Sequence, residues 1–298
     1  MKQIAILGPT ASGKTALSIE LALAYNAVIL SLDSLSIYKQ IDIASAKPTL
    51  LERRDVVHFG IDEINITTPF NVTLFFKLYQ KAMQYAQEND KNLIIVGGTS
   101  FYLKSMMEGL SQKPTITDEI KTQVQNTLLN MQSAYELIKN QDITYANKIS
   151  PQDKYRIEKW LEIYYASGLG SSEYFLYNTK EPLIKNIEIF EIDLDKELLR
   201  QRIALRTNIM LKNGLIDEVV FLERTYTRKP NPMSSIGIKE TLDYLDGYLN
   251  LEELEEKIST NTARLAKRQR TFNTSQLPLH VKGDTTFLKE KIEQYFQS

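Results

Sequence analysis

MKQIAILGPTASGKTALSIELALAY, residues 1–25, contains the run that decides the fold: Gly8-Pro9-Thr10-Ala11-Ser12-Gly13-Lys14-Thr15. Its spacing is G-x-x-x-x-G-K-[ST]. The apolar run KQIAIL before it predicts a buried strand. Leu17, Leu21, Ala24 and Tyr25 after it recur at helical spacing. Strand, glycine turn and helix in that order are the context of a phosphate-binding loop. The glycines let the backbone curl so that its N–H groups point inward, and the helix start adds partial positive charge there. Lys14 is placed to reach outer phosphate oxygens, and Thr15 to offer a hydroxyl to Mg²⁺. The loop alone specifies a diphosphate or triphosphate with Mg²⁺; it does not specify a nucleotide.

Working outward, residues 1–110 alternate apolar runs with helical patterns. KQIAIL, AVILSL (27–32) and KNLIIVGG (91–98) read as strands, and Val72 to Glu88 as a helix. This alternation predicts a parallel sheet covered on both faces. From Thr115 to about Gly168 no strand pattern occurs. Residues 117–142 are polar and helix-prone, and PQDKYRIEKWLEIYYASG (151–168) reads as an amphipathic helix stopped by Gly168. A strand returns in IEIFEIDLD (187–195). A helix ending before Gly214 follows, then a long one from Leu251 to Thr274. LPLHV (277–281) reads as a last strand and TFLKEKIEQYF (286–296) as a last helix. The expected fold is α/β: a P-loop NTPase-like parallel sheet core, residues 1–114 and 172–298, with an inserted all-helical domain, residues 115–171.

Composition narrows the chemistry. The 298 residues include no cysteine, which removes disulfides and thiol catalysis and fits a reducing cytoplasm. His58 and His280 are the only histidines, far apart, and read as strand-end residues rather than metal ligands. No leader pattern or bilayer-length apolar run is visible, so a soluble, cytoplasmic protein is expected. The net charge of −1 gives no bulk grip on nucleic acid. One local exception is TARLAKRQR (262–270), where Arg264, Lys267 and Arg268 share a helix face; by itself this reads better as a solvated face than as a nucleic-acid contact.

Asp33, in SLDSLSIYKQIDIASAKPT (31–49), stands where the second strand should end, the place where ligands bind in open α/β sheets. Three roles stay open for it: holding a metal through water, accepting a proton, or capping the following turn. VGGTSFYL (96–103) ends a strand in a glycine pair that admits another backbone or a ligand. No apolar strand ends in an aspartate suited to a Walker-B role, and no guanine-reading motif is present, which weakens the ATPase and GTPase readings.

Together these stretches resemble one family, the tRNA dimethylallyltransferases (tRNA isopentenyltransferases), from about Ile4 to about Arg270. The carrying segments are GPTASGKT, SLDSLSIYKQIDIASAKP, LIIVGGTSFYLKSMMEGL, RIALRTNIMLKNGLIDEV, SSIGIKE and TARLAKRQRTF. The resemblance implies transfer of the dimethylallyl group of dimethylallyl diphosphate to N6 of adenosine-37, in tRNAs reading codons that begin with U, with release of pyrophosphate. It implies Mg²⁺ at Thr15 and, through water, Asp33. It implies a diphosphate held by Gly8, Pro9, Thr10, Ala11, Ser12, Gly13, Lys14 and Thr15. Arg206 would stabilise the leaving group, Thr10 would stand beside the reacting channel, and Asp33 would orient the adenine amine and take its proton. Contacts to tRNA are implied at Asp33, Ser34, Leu35, Ser36, Thr99, Lys121, Tyr155, Arg156 and Lys159, with Arg264, Lys267 and Arg268 as further phosphate contacts. The helical insertion would grip the anticodon stem-loop, and a monomer is expected. The chain departs from the family pattern at Ile238, where tyrosine is usual, and at Pro151-Gln152-Asp153. The alternatives are a prenyltransferase acting on free adenine nucleotides, against which the insertion argues, and a P-loop small-molecule kinase, for which no arginine-rich lid is visible. An RNA-binding protein that lost catalysis is a further alternative, disfavoured by intact Thr15, Asp33 and Arg206.

Overall fold

The computed structural model describes residues 1–109, 111, 113–178 and 181–298. In chain order the elements are β1 (Gln3–Leu7), α1 (Lys14–Ala24), β2 (Ala27–Leu32), α2 (Leu50–Arg53), β3 (His58–Phe59), α3 (Val72–Glu88), β4 (Asn92–Gly97), α4 (Ser100–Glu108), α5 (Asp118–Leu128), α6 (Met131–Gln141), α7 (Ile143–Ala146), α8 (Lys154–Ser167), α9 (Ser171–Asn178), β5 (Glu188–Ile192), α10 (Lys196–Lys212), α11 (Leu215–Tyr226), α12 (Ile238–Leu245), α13 (Leu251–Gln276), β6 (Val281–Gly283) and α14 (Thr285–Gln297). A short 3₁₀ turn spans Asn231–Ser234. The chain divides into two compact units, residues 1–105 with 184–298, and residues 106–183.

In the first unit six strands form one sheet in the order β3-β2-β4-β1-β5-β6, and every pair is parallel. The strand sequences explain this. QIAIL, AVILSL and NLIIVG are apolar on both faces, as strands covered by helices on each side must be. On one face Ile4, Ile6, Ile29, Ile94, Phe190 and Ile192 bury themselves against Leu17 and Leu21 of α1 and Leu288 and Ile292 of α14. Helix α3 packs against β2, β3 and β4 with Phe75, Leu78 and Tyr79 buried. The register aligns Leu7 with Gly97 and Leu32 with Gly97, so three strands finish level. That close pairing requires a glycine: a Cβ at Gly97 would lie 2.4 Å from the Leu32 carbonyl oxygen.

The sheet edge departs from the expected strand at 277–281. Residues 277–280 stay outside β6, which begins at Val281. Pro278 has no N–H for a ladder. His280 is spent on a buried polar cluster instead: its Nε2 lies 2.8 Å from Glu191 Oε2 and its Nδ1 2.6 Å from the Pro278 carbonyl oxygen. Lys282 Nζ pairs with the same carboxylate at 2.8 Å, and Asn273 Nδ2 donates to Oε1 at 2.8 Å. Burial pushes the Glu191 carboxyl up, but donation from His280, Lys282 and Asn273 outweighs it and holds the pKa at about 2. The two-residue strand β3, which no sequence pattern announces, begins at His58.

The regular elements described in the second unit are helices, α5 to α9 and part of α4, and the expected insertion, 115–171, lies inside it. The helix-prone run 117–142 is broken at Asn130, whose side chain accepts from the Ser133 N–H and starts α6. Gly168 ends α8 at φ +74. Trp160 is the centre of this core, fully buried with Ile157, Leu161, Val124 and Ile138. Its indole N–H donates to Asp142 Oδ2 at 3.0 Å, and the same carboxylate accepts the N–H groups of Ser172 (2.8 Å) and Tyr145 (3.0 Å). A buried carboxylate with three donors is compensated rather than costly.

Two stability outcomes follow from this packing. Glu191 contributes stability that is fully present above about pH 4.5 and is lost as pH falls toward 2, worth roughly 3 kcal/mol. Urea melts at pH 7, 4 and 3 should show that loss in the wild type and a much flatter profile in Glu191→Gln. Gly97→Ala should lower the melting temperature sharply, because the obstacle is backbone that cannot rotate away.

Candidate active site

The P-loop turns as its glycines require. Gly8 and Gly13 have φ of +151 and +95, and Ala11 also takes a positive φ, +63. Gly13 caps α1 with no side-chain bond, so the first-turn N–H groups are left for a ligand. Lys14 Nζ donates to the Pro9 carbonyl at 2.6 Å and lies 3.5 Å from Ser12 Oγ. Thr10 N–H donates to Gln269 Oε1 on α13 at 3.1 Å.

A cavity of about 780 Å³ opens beside this loop within the first unit. It is lined by Thr10 to Thr15, Asp33, Ser36, the Gly97-Gly98 pair, Arg206 and Gln269. The structure therefore brings together the loop, the strand-end carboxylate and the α10 arginine from three distant stretches of chain. Asp33 does cap its turn, with Oδ1 accepting from Leu35 N–H at 2.7 Å and Ser36 N–H at 3.0 Å. That use occupies one oxygen. Lys14 and Arg206 are both enclosed and close enough to repel. Burial, then Arg206, lowers the Lys14 pKa to about 7, against the pull of Asp33. Burial likewise lowers that of Arg206, again opposed by Asp33. Two desolvated cations facing one carboxylate form a site short of negative charge.

The other expected positions divide. Thr99 sits behind the glycine pair, its N–H bonded to the Leu32 carbonyl at 3.1 Å, and Ser34 and Leu35 lie in the Asp33 turn. Arg264, Lys267 and Arg268 are exposed on α13, the first bonded to Asn261 at 3.2 Å. Lys121, Tyr155, Arg156 and Lys159 belong to the second unit. There Lys121 pairs with Asp118 at 2.7 Å, Arg156 with Asp153, and Lys159 with Glu162 at 2.5 Å. Tyr155 is exposed, 5.9 Å from its ring centroid to the Lys159 ammonium. The departure at Asp153 has a local use: the carboxylate caps α8 through Arg156 N–H at 3.0 Å. Ile238 is fully buried at the start of α12.

Gln269 has no motif of its own in the sequence. Its signal is an uncharged side chain inside the basic run KRQR; a Cβ on Gly98 would lie 2.3 Å from its Nε2. So Gly98 is the space that this amide fills. As for Mg²⁺, Thr15 and Asp33 offer hard oxygens at the loop. Among the described residues no cluster of three histidine, cysteine or acidic side chains exists. That donor set suits a cation carried largely by phosphate oxygens.

A parallel sheet with a glycine loop entering α1, two enclosed cations and one strand-end carboxylate defines a P-loop α/β protein that receives a phosphorylated ligand. Residues 36–276 match the family described as IPP transferase. The chain is 54% identical over 296 residues to a tRNA dimethylallyltransferase of Aliarcobacter butzleri, covering 99% of both chains. A crystal structure of the full-length tRNA isopentenylpyrophosphate transferase of Bacillus halodurans aligns with a TM-score of 0.72 at 27% identity, over 99% of this chain and 97% of that one. A eukaryotic dimethylallyltransferase acting on tRNA aligns at 0.79 and 27% identity, over 92% of this chain and 70% of that one. The chain belongs to the IPP transferase family. Among the described residues no helix is long and apolar enough to cross a membrane.

The Lys14 environment generates a pH prediction. A bound diphosphate supplies the missing negative charge and raises the Lys14 pKa, so binding takes up a proton above pH 7. Pyrophosphate affinity should fall as pH rises from 7 toward 10, and titration calorimetry at pH 8 in two buffers of different ionisation enthalpy should register uptake approaching one proton. Equal heats in both buffers would remove Lys14 from this role.

Proposed function

We infer that this protein transfers a dimethylallyl group from dimethylallyl diphosphate to N6 of adenosine-37 in tRNA and releases pyrophosphate. The observation that supports it best is the single cavity in which Lys14, Arg206 and Asp33 meet. As the allylic C–O bond breaks, its electron pair stays on the diphosphate. Lys14, Arg206 and the loop N–H groups stabilise that growing charge. The new bond forms from N6 of adenine to the allylic carbon. An exocyclic amine is a weak nucleophile, because its lone pair is delocalised, and it needs to be oriented and to lose a proton. Asp33 does both with Oδ2, since Oδ1 is committed to Leu35 and Ser36. Thr10 stands at the reacting channel, held by Gln269. Thr15 and, through water, Asp33 would hold Mg²⁺, which supplies further charge neutralisation on the leaving pyrophosphate.

The target base must leave its stack, at a cost of a few kcal/mol. We assign the grip on the anticodon stem-loop to the helical unit through Lys121, Tyr155, Arg156 and Lys159, with Ser34, Leu35, Ser36, Thr99 and the exposed face of Arg264, Lys267 and Arg268 as further contacts. We propose that the substrates are tRNAs reading codons that begin with U, and that the protein works as a cytoplasmic monomer.

The test is transfer of label from dimethylallyl diphosphate, with Mg²⁺, into unmodified tRNA, with AMP and ATP as competitors. Label mapped to adenosine-37 is the expected result. Label in AMP alone would move the acceptor to free nucleotides, and ATP hydrolysis without transfer would restore the kinase reading. Asp33→Ala should lower turnover by about 10²–10⁴-fold while tRNA affinity changes little. Lys121→Ala and Arg156→Ala should weaken tRNA binding and reduce the slope of log K against log salt by up to about one each. Unchanged salt slopes would take the helical unit out of the RNA grip.

A further inference from the structure

Two signatures, GLIDEV and SSIGIKE, are left without a role by the chemistry above. Both converge on the segment that follows Asp33, residues 42–48. Glu218 of α11 receives three consecutive backbone N–H groups of that segment: Asp42 at 2.9 Å and Ile43 at 2.7 Å on Oε2, and Ala44 at 2.9 Å on Oε1. Three converging amides form a small anion-binding concavity, and here a side chain of the same protein fills it. A carboxylate suits it because both oxygens are acceptors and charged hydrogen bonds are the stronger kind. The same segment packs against two glycines of these signatures. A Cβ on Gly214 would come 3.9 Å from Ile43 Cδ1, and one on Gly237 would come 3.9 Å from Ala44 Cβ. A second clamp holds the far end: Lys47 Nζ binds Asp42 Oδ1 and Asp62 Oδ1, both at 2.6 Å, and the Tyr38 carbonyl at 3.0 Å.

The clamped segment is a wall of the cavity, through Ile43, Ser45, Ala46 and Lys47. It also carries the Ser45 carbonyl, which Arg206 Nη2 approaches at 3.5 Å. That contact is long, so it directs the guanidinium more than it holds it. Direction matters for a desolvated arginine whose task is to meet a diphosphate: a drifting carbonyl would let it turn away or draw water in.

We propose that Glu218 is a positioning residue for the diphosphate subsite, fixing residues 42–44 so that the Ser45 carbonyl and the cavity wall keep Arg206 aimed at the leaving group. This rests on the reading of Arg206 as a diphosphate ligand. The side chain touches no substrate and acts through the loop.

The experiment measures inorganic pyrophosphate binding with Mg²⁺ by calorimetry on the full chain. The proteins are wild type, Glu218→Gln, Glu218→Ala, Arg206→Ala and the Glu218→Ala/Arg206→Ala double variant, each with a melting temperature. Glu218→Ala should weaken pyrophosphate about tenfold, and Glu218→Gln, which keeps one acceptor oxygen, about threefold. In the Arg206→Ala background, Glu218→Ala should add less than about twofold, the non-additivity expected of residues acting as a unit. KM for dimethylallyl diphosphate should rise while KM for tRNA stays within about twofold. Folded variants that bind pyrophosphate like the wild type, or lose equally much without Arg206, overturn the proposal. If Glu218→Ala does not fold, Glu218→Gln and its combination with Arg206→Ala decide alone. A wild type that binds no pyrophosphate overturns the diphosphate reading itself, and the proposal with it.

Discussion

The ends of the parallel strands set everything else. Leu7, Leu32 and Gly97 finish level because β1 and β2 both pair with β4 in a register that only a glycine at 97 allows. Helices cover the sheet on both faces, and the polar groups of the site stand at its strand ends. So the P-loop, the Asp33 turn and the glycine pair emerge side by side, and polar chemistry gathers where backbone groups leave the ladder. A side chain at Gly97 would push β2 from β4 and separate Asp33 from the loop it serves.

Onto that platform two helices bring groups from the far end of the chain. Helix α10 contributes Arg206. Helix α13 works as a bolt, with Gln269 bonded to the P-loop, Arg270 paired with Asp193 at 2.5 Å, and Asn273 bonded to Glu191 of the neighbouring strand. Its opposite face shows Arg264, Lys267 and Arg268 to solvent. One helix thus ties the loop to the sheet edge while offering cations outward. The cost of this assembly appears at Lys14, where enclosure beside Arg206 disfavours the charged form until an anion enters. The site is organised for a ligand charge that it does not itself carry.

The helical unit obeys a different logic. It builds its own core around Trp160, whose indole N–H is satisfied by Asp142. Asp142 also caps α7 and receives Ser172, so a single buried carboxylate joins three helices. Three of the unit's cations, Lys121, Arg156 and Lys159, sit in short local ion pairs, worth little to stability individually.

Much of this was legible in the sequence. Alternating apolar runs announce β1, β2, β4 and β5, and the spacing of Gly8, Gly13, Lys14 and Thr15 announces the loop, because period and loop chemistry are local properties. Gly168 and the 72–88 helix are local too. What sequence reading got wrong or missed is non-local. LPLHV reads as a strand, but only its last residue, Val281, joins the ladder; Pro278 and the bonding of His280 to Glu191 leave residues 277–280 outside it. Strand β3 is two residues long and exists only because β2 has a free edge. Asp33 stayed ambiguous between cap and base, and the structure gives one oxygen to the cap. Gln269, Lys47 and Glu218 carry no motif of their own; each matters through a backbone group or carboxylate that is remote in the chain. The sequence by itself determined the loop, the parallel core and the family resemblance, because these depend on neighbours within a few residues. Only the tertiary structure decided that Lys14, Asp33 and Arg206 share one cavity and which side chains hold them, because that depends on strand register and on contacts closed across 170 residues or more of chain.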